Sequence, residues 1–206
     1  MARKRKRTRK QPQSASAKAV KILFFLLISF MASLSLIGDF SPIIPDIPEY
    51  GNNQGTDFIG NIAPAAQQMQ ATYGVHASIS IAQAILESDW GESELSAVYN
   101  NLYGMKGDDP GNTVLLTTNE YYNGQWVTIQ ANFRVYGNWA ESVQDHALLF
   151  VNGTTWDPNQ YAPVLQATTY QEAAQALQDC GYATDPDYAA KLIAVIEQNA
   201  LYEYDN

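Results

Sequence analysis

Two carboxylates stand where they could cleave an acetal. Glu87 closes the run Ala82-Gln83-Ala84-Ile85-Leu86-Glu87-Ser88-Asp89-Trp90-Gly91, and Glu120 follows about thirty residues later in Asn119-Glu120-Tyr121-Tyr122-Asn123-Gly124-Gln125-Trp126. Breaking a glycosidic bond needs a proton for the leaving oxygen and support for a developing oxocarbenium ion. A carboxyl packed against an indole loses water, which disfavours its ionised form and raises its pKa. An acid still protonated near neutral pH can donate to a leaving group. Glu87, with Trp90 beside it, is the candidate acid; Glu120 is the second carboxylate. Taken alone, Glu87 reads more readily as a solvated residue at a helix end, and Glu120 equally as an exposed strand residue that keeps a hairpin soluble.

The elements that must position them are legible around them. Val75, Ile79, Ala82, Ile85 and Leu86 fall on one stripe at 3.6 residues per turn, predicting an amphipathic helix over Ala77–Trp90 with Glu87 at its lip. Leu115–Tyr122 and Trp126–Tyr136 alternate and are rich in Thr, Val, Ile, Tyr and Phe, with Asn123-Gly124 as a hairpin turn between them. Pro64 predicts the first turn of a helix over Ala63–Tyr73, stopped by Gly74. Asn138-Trp139-Ala140-Glu141 and Thr169-Tyr170-Gln171-Glu172 carry capping spacing, so a helix should follow each. Asp185-Pro186 opens a last helix to about Leu201, with Ala189, Leu192, Ile193 and Ile196 inward. The expected fold class is mainly α (α+β), helices with one inserted hairpin.

Charge divides the 206 residues. Nine basic residues and no acid precede Ile22, whereas 3 basic and 21 acidic residues follow it. The basic run directly precedes an apolar segment, 22–37, which reads either as the core of a cleaved signal peptide or as an uncleaved anchor. The basic flank, 1–21, would stay in the cytoplasm and everything after Asp39 would lie outside. Residues 38–56, with Pro42, Pro45, Pro48, Gly51 and Gly55, read as a spacer, and 57–206 as the folded domain. The acidic exterior argues against nucleic-acid binding. The single cysteine, Cys180, excludes an internal disulfide. It has no ligand spacing with His76 or His146, so neither a metal nor a cofactor is expected. Among 13 Tyr, 7 Phe and 4 Trp, Trp90, Tyr103, Tyr121 and Tyr182 are candidates to pack on sugar faces, although any one of them could instead serve the core. Phe133 and Trp139 read as core.

Five segments in order carry a resemblance: Ala82–Gly91; Asn100-Asn101-Leu102-Tyr103-Gly104-Met105-Lys106-Gly107; Glu120-Tyr121 with Gly124 and Trp126; Phe133-Arg134-Val135-Tyr136; and Gly181-Tyr182-Ala183-Thr184-Asp185-Pro186 with Tyr188. Together they resemble the endo-β-N-acetylglucosaminidase domain of bacterial autolysins and flagellar peptidoglycan hydrolases, glycoside hydrolase family 73. The resemblance spans essentially all of 57–206. It implies a lysozyme-like helical lobe and a small β-hairpin lobe flanking a glycan cleft. Glu87 would be the general acid and Glu120 a base or stabiliser, with the substrate's 2-acetamido group as a competing participant. Tyr182 matches a tyrosine near the active site, and Asn101 and Tyr103 match the cleft loop. The implied partner is the peptidoglycan glycan strand, met by a monomer tethered to the membrane through its N-terminal segment or secreted to the cell wall.

Two positions depart from the pattern: Asp89 stands where many relatives have Gly, and His76 where many have Pro. Asp89 is expected to raise the Glu87 pKa further if it faces the cleft. Muramidase or lytic-transglycosylase chemistry on the same fold is the nearest alternative. A non-catalytic glycan-binding module is the rival from another class.

Overall fold

The computed structural model describes residues 54–122 and 125–205, without the side chains of 54–56, 120–122 and 126. The basic run, the apolar segment, most of the spacer and the Asn123-Gly124 turn lie outside the described residues.

Helices α1 (Gln54–Tyr73), α2 (Ala77–Ser88), α4 (Trp139–Asn152), α6 (Tyr170–Asp179) and α7 (Tyr188–Gln198) build one lobe, with α3 (Glu94–Tyr99) and α5 (Ala162–Gln166) as short connectors. Strands β1 (Thr113–Tyr122) and β2 (Gln125–Arg134) form an antiparallel hairpin in register from Thr113↔Arg134 to Tyr122↔Gln125. The result is the mainly helical α+β architecture expected, with a helical lobe and a small hairpin lobe.

α1 starts at Gln54, within the stretch that reads as spacer, so Pro64 lies inside the helix rather than in its first turn. Phe58, Ile59, Ile62, Ala63, Ala66 and Met69 are buried at helical spacing. Pro64 sits on the exposed side. A proline there forfeits one backbone hydrogen bond, and the buried stripe on both sides of it holds the helix together.

α2 is the centre of the lobe. It is not amphipathic in the expected sense: Ser78, Ser80, Gln83 and Ser88 are buried along with Ile79, Ile81, Ala82, Ala84 and Ile85. It packs against α1, α6, α7 and the closing 3-10 turn Leu201–Tyr204. Polar groups in a helix surrounded by protein are costly without partners, and here the partnering is incomplete: Ser80 Oγ and Gln83 Oε1 find none among the described residues. Tyr103 Oη donates to the Ser80 carbonyl at 3.1 Å. Gln83 Nε2 donates to Tyr188 Oη at 3.0 Å.

The two caps form as the spacing predicts. Asn138 accepts from the Glu141 amide at 3.0 Å, and Thr169 accepts from the Glu172 amide at 3.2 Å. The last helix begins later than Asp185-Pro186 predicts. Asp185 instead accepts from the Asp187 amide and pairs with Lys191, holding a turn ahead of Tyr188. Helix α3 has no apolar period to announce it. Ser93 caps it by accepting from the Ser96 amide.

The chain end closes over the start of α2. Asp205 accepts from the Ser78 amide at 2.8 Å and from Ser78 Oγ at 2.5 Å. His76 Nδ1 stands 3.5 Å from Asp205 Oδ2, an ion contact long for a hydrogen bond. Asp205 raises the His76 pKa, against the opposing effect of burial. For Asp205 itself burial works upward, but His76 and Ser78 prevail and hold it below the usual carboxylate value. A depressed carboxyl stabilises above its unfolded pKa and loses that contribution as pH falls through its folded value; a raised histidine stabilises below 6.5 and loses it as pH rises through its folded value. Asp205→Ala is therefore expected to cost about 2 kcal/mol, most fully between roughly pH 4 and 6.5. Denaturant titrations of both proteins across pH check this; a difference independent of pH would remove the ionic part.

Candidate active site

Glu87 occupies the last turn of α2, directly before a sharp exit. Asp89, Trp90 and Gly91 follow with φ of 52°, 59° and 81°, three successive left-handed residues. Ser88 Oγ donates to the Ala84 carbonyl at 2.6 Å and accepts from the Gly91 amide at 2.7 Å, pinning the turn. A Cβ at Gly91 would lie 2.9 Å from the Phe58 ring and 3.0 Å from Trp139, so backbone conformation and space both require glycine there. Trp90 packs edge-on to Phe58, ring centroids 6.2 Å apart. Asp89 holds a left-handed conformation (φ 52°) that Asp tolerates and Gly adopts freely.

The Glu87 side chain is half-buried. Its Oε1 accepts from Tyr188 Oη at 3.0 Å, and that hydroxyl accepts from Gln83 Nε2 at 3.0 Å. Burial pushes the Glu87 carboxyl from 4.5 up to about 8, against the opposing pull of the Tyr188 hydrogen bond. Asp89 is exposed and plays no part in that shift, so the expectation that its charge raises the Glu87 pKa is corrected. The arrangement is a carboxylic acid that keeps its proton at neutral pH, held by a donor that will also stabilise the anion once the proton leaves.

Behind Tyr188 lies a buried aromatic wall. Tyr182 stacks on Tyr188 at 5.6 Å, and its hydroxyl pairs with His146 Nε2 at 2.9 Å. His146 lies flat on Tyr103 at 3.8 Å. Burial lowers the His146 pKa to about 3, so the ring is neutral at physiological pH.

This placement revises three of the expected substrate contacts. Tyr103 and Tyr182 are buried in the wall rather than presented to a sugar, and both hydroxyls are already engaged. Asn101 is also buried; its amide Nδ2 donates to the Met105 and Arg134 carbonyls, both at 2.9 Å. These residues support the site from within. Trp90 remains half-buried at its edge. Glu120 and Tyr121 are aligned with Val127 and Trp126 near the turn end of the hairpin, and their side chains lie outside the described residues. Phe133 is core, as expected, and Trp139 is half-buried against Phe58. Among the described residues no group of three or more His, Cys, Asp or Glu is arranged to hold a metal ion.

Tyr188 and Gln83 are the residues that sequence reasoning left without a role. Gln83 lies one helical turn before Glu87, on the same face, and a glutamine among Ile and Ala in a buried helix was the available signal. Removing the Tyr188 hydroxyl takes away the one interaction that lowers the Glu87 pKa. Tyr188→Phe should therefore move the Glu87 titration to higher pH, as read by carboxyl-carbon NMR. A midpoint that stays or falls would refute the contact.

A helical lobe carrying a half-buried glutamate at a helix end, with a small β-hairpin lobe, is the lysozyme-like class of domain. The chain belongs to the glucosaminidase family, described as mannosyl-glycoprotein endo-beta-N-acetylglucosaminidase, which matches residues 63–201. It is 53% identical over 148 residues to exo-glucosaminidase LytG of Bacillus subtilis, covering 72% of this chain and 52% of that protein. It is 37% identical over 206 residues to a probable N-acetylmuramidase of Lactococcus lactis, covering 97% of this chain and 46% of the relative. The chain thus spans about half the length of these curated relatives. Among solved structures it resembles the catalytic domain of the Listeria monocytogenes autolysin Auto, with a TM-score of 0.70, 39% identity, and coverage of 75% of this chain and 89% of that one.

Proposed function

We propose that the protein is a peptidoglycan hydrolase that cleaves the β-1,4 bond after N-acetylglucosamine. The observation that carries this is the protonated Glu87 carboxyl, held by Tyr188 at the end of α2, in a chain of the glucosaminidase family. Glu87 protonates the departing glycosidic oxygen. Glu120, or the substrate's own acetamido group, supports C1 and the attacking water. Trp90 and Tyr121 offer rings to the sugars.

The N-terminal region fits the same reading. A basic 1–21, an apolar 22–37 and a proline-bearing spacer would place the domain, read as 57–206, on the outer face of the cell membrane, or release it to the wall after cleavage. Among the described residues no helix is long and apolar enough to cross a membrane.

Digestion of purified peptidoglycan by the full 206-residue chain tests the assignment. New reducing ends on N-acetylglucosamine support it. New reducing ends on N-acetylmuramic acid would favour muramidase chemistry, the activity for which the Lactococcus relative is named. Product size separates cleavage within strands from cleavage at their ends. No release by the folded chain would point to the glycan-binding module instead.

A further inference from the structure

The domain is poor in cations. After Lys21 the chain has three basic residues, Lys106, Arg134 and Lys191, against 21 acidic ones. Lys191 lies on α7 in its ion pair with Asp185. The other two line the same cavity of about 170 Å³, together with Met105, Leu149, Trp156 and Tyr161. Trp156 is 44% exposed, on a loop that leaves α4 through Gly153. Arg134 is partly neutralised, since its Nη1 stands 2.5 Å from Asp145 Oδ2, and its Nε donates to the Lys106 carbonyl at 3.1 Å. That second bond ties the two cationic segments together. Tyr161, which closes one side, packs edge-on to Tyr182 at 6.1 Å. The cavity therefore shares the aromatic wall behind Glu87 without being lined by Glu87 itself.

An apolar cavity edged by two of a domain's three cations suits a ligand that is both apolar and anionic. A stem-bearing β-1,4 glycan of N-acetylated sugars offers hydroxyls, acetamides and lactyl groups blocked as amides, none of which carries a charge. The carboxylates of peptidoglycan are on its short peptides. We propose that this cavity is a subsite for the peptide stem, with a stem carboxylate facing Lys106 and a small apolar side chain against Met105, Leu149 and Trp156. The inference rests on the proposed function for its substrate. The subsite makes the enzyme read whether a stem is attached near the bond it cleaves.

The test compares intact peptidoglycan with the same glycan stripped of its stems by an amidase, using the full chain. Stripping removes the stem carboxylates and apolar side chains and leaves one lactyl carboxylate on each muramic acid, held close to the sugar ring. The ratio of kcat/KM on stemmed to stripped glycan should exceed one in the wild type. In Lys106→Met it should fall about tenfold, the scale of one lost charged hydrogen bond. Trp156→Ala should lower the same ratio. In parallel, free tetrapeptide stem is titrated into the wild type, and should move the Trp156 indole resonance but not do so in Lys106→Met. An unchanged ratio with no movement on titration overturns the proposal while leaving the glycosidase reading intact. Equal losses on both substrates in Trp156→Ala would make this a sugar subsite and also overturn it. If the wild type cleaves neither glycan but the peptide still moves Trp156, the glycosidase reading fails and the stem site stands.

Discussion

Glu87→Gln is expected to lower peptidoglycan cleavage about thousandfold, within the range typical of losing a positioned general acid. The glutamine keeps the shape of the side chain and can still accept from Tyr188 Oη through its carbonyl oxygen. What it lacks is the transferable proton. Substrate binding should therefore survive while turnover does not, and a zymogram of equal amounts of folded protein reads the loss. The wild type should lose activity as pH rises through about 8, because the acid works only while Glu87 is protonated. Retention of wild-type clearing by Glu87→Gln would remove Glu87 from the chemistry.

The same substitution should stabilise the fold at neutral pH. Burial holds the Glu87 proton in the native state up to about pH 8, whereas the unfolded chain releases it near 4.5. Between those values the unfolded state gains free energy by ionising and the native state does not, so wild-type stability falls as pH rises across that window. Glutamine has nothing to ionise. The variant should be more stable than wild type by about 2 kcal/mol at pH 7, an order-of-magnitude figure discounted for the partial exposure of the side chain. The difference should vanish below about pH 4.5. Equal stability from pH 5 to 8 would mean that Glu87 ionises normally and is not preset as an acid. The stability cost of the native carboxyl is the counterpart of its readiness to donate.

Much of this site was legible because local rules and global packing agree there. The apolar spacing around Ala82–Leu86 placed Glu87 at a helix end, Asn138 and Thr169 announced their helices, and alternating β-formers around Asn123-Gly124 announced the hairpin. The start of α1 was obscured because Pro64 obeys a first-turn rule while Phe58, Ile59 and Ile62 continue the buried stripe ahead of it. Tertiary burial won over the local signal. The burial of most of α2 was hidden by its serines and by Gln83, which are polar in sequence yet lie inside the lobe. The partner of Glu87 was the least accessible feature. Tyr188 lies 101 positions away, and no periodicity links the two. Tyr182, the tyrosine of the Gly181–Pro186 segment, stands one ring further back.

Asn101 shows the same difference between motif and role, and its replacement should have the largest effect on stability. Asn101→Ala is expected to cost about 3 kcal/mol, because a buried side chain that makes three hydrogen bonds disappears. Its Nδ2 donates to the Met105 and Arg134 carbonyls, and its Oδ1 accepts from the Met105 amide, each at 2.9 Å. The Met105 carbonyl keeps a partner in the Arg134 amide at 2.8 Å. The Met105 amide and the Arg134 carbonyl lose a bond in a place water does not easily reach. A drop in melting temperature of roughly 10 °C should follow for a domain of this size. Asn101→Asp should do no better, since it exchanges a donor for a charge that faces carbonyl oxygens. A residue that merely touched sugar would behave in the opposite way, leaving stability intact and raising KM. Asn101 instead joins the 101–105 loop to the end of β2, where Lys106 and Phe133 form the bridge that seats the hairpin on the helical lobe. Loosening that seat lets the hairpin move relative to the loop 101–106 that holds it, so in the surviving folded fraction kcat should fall along with stability.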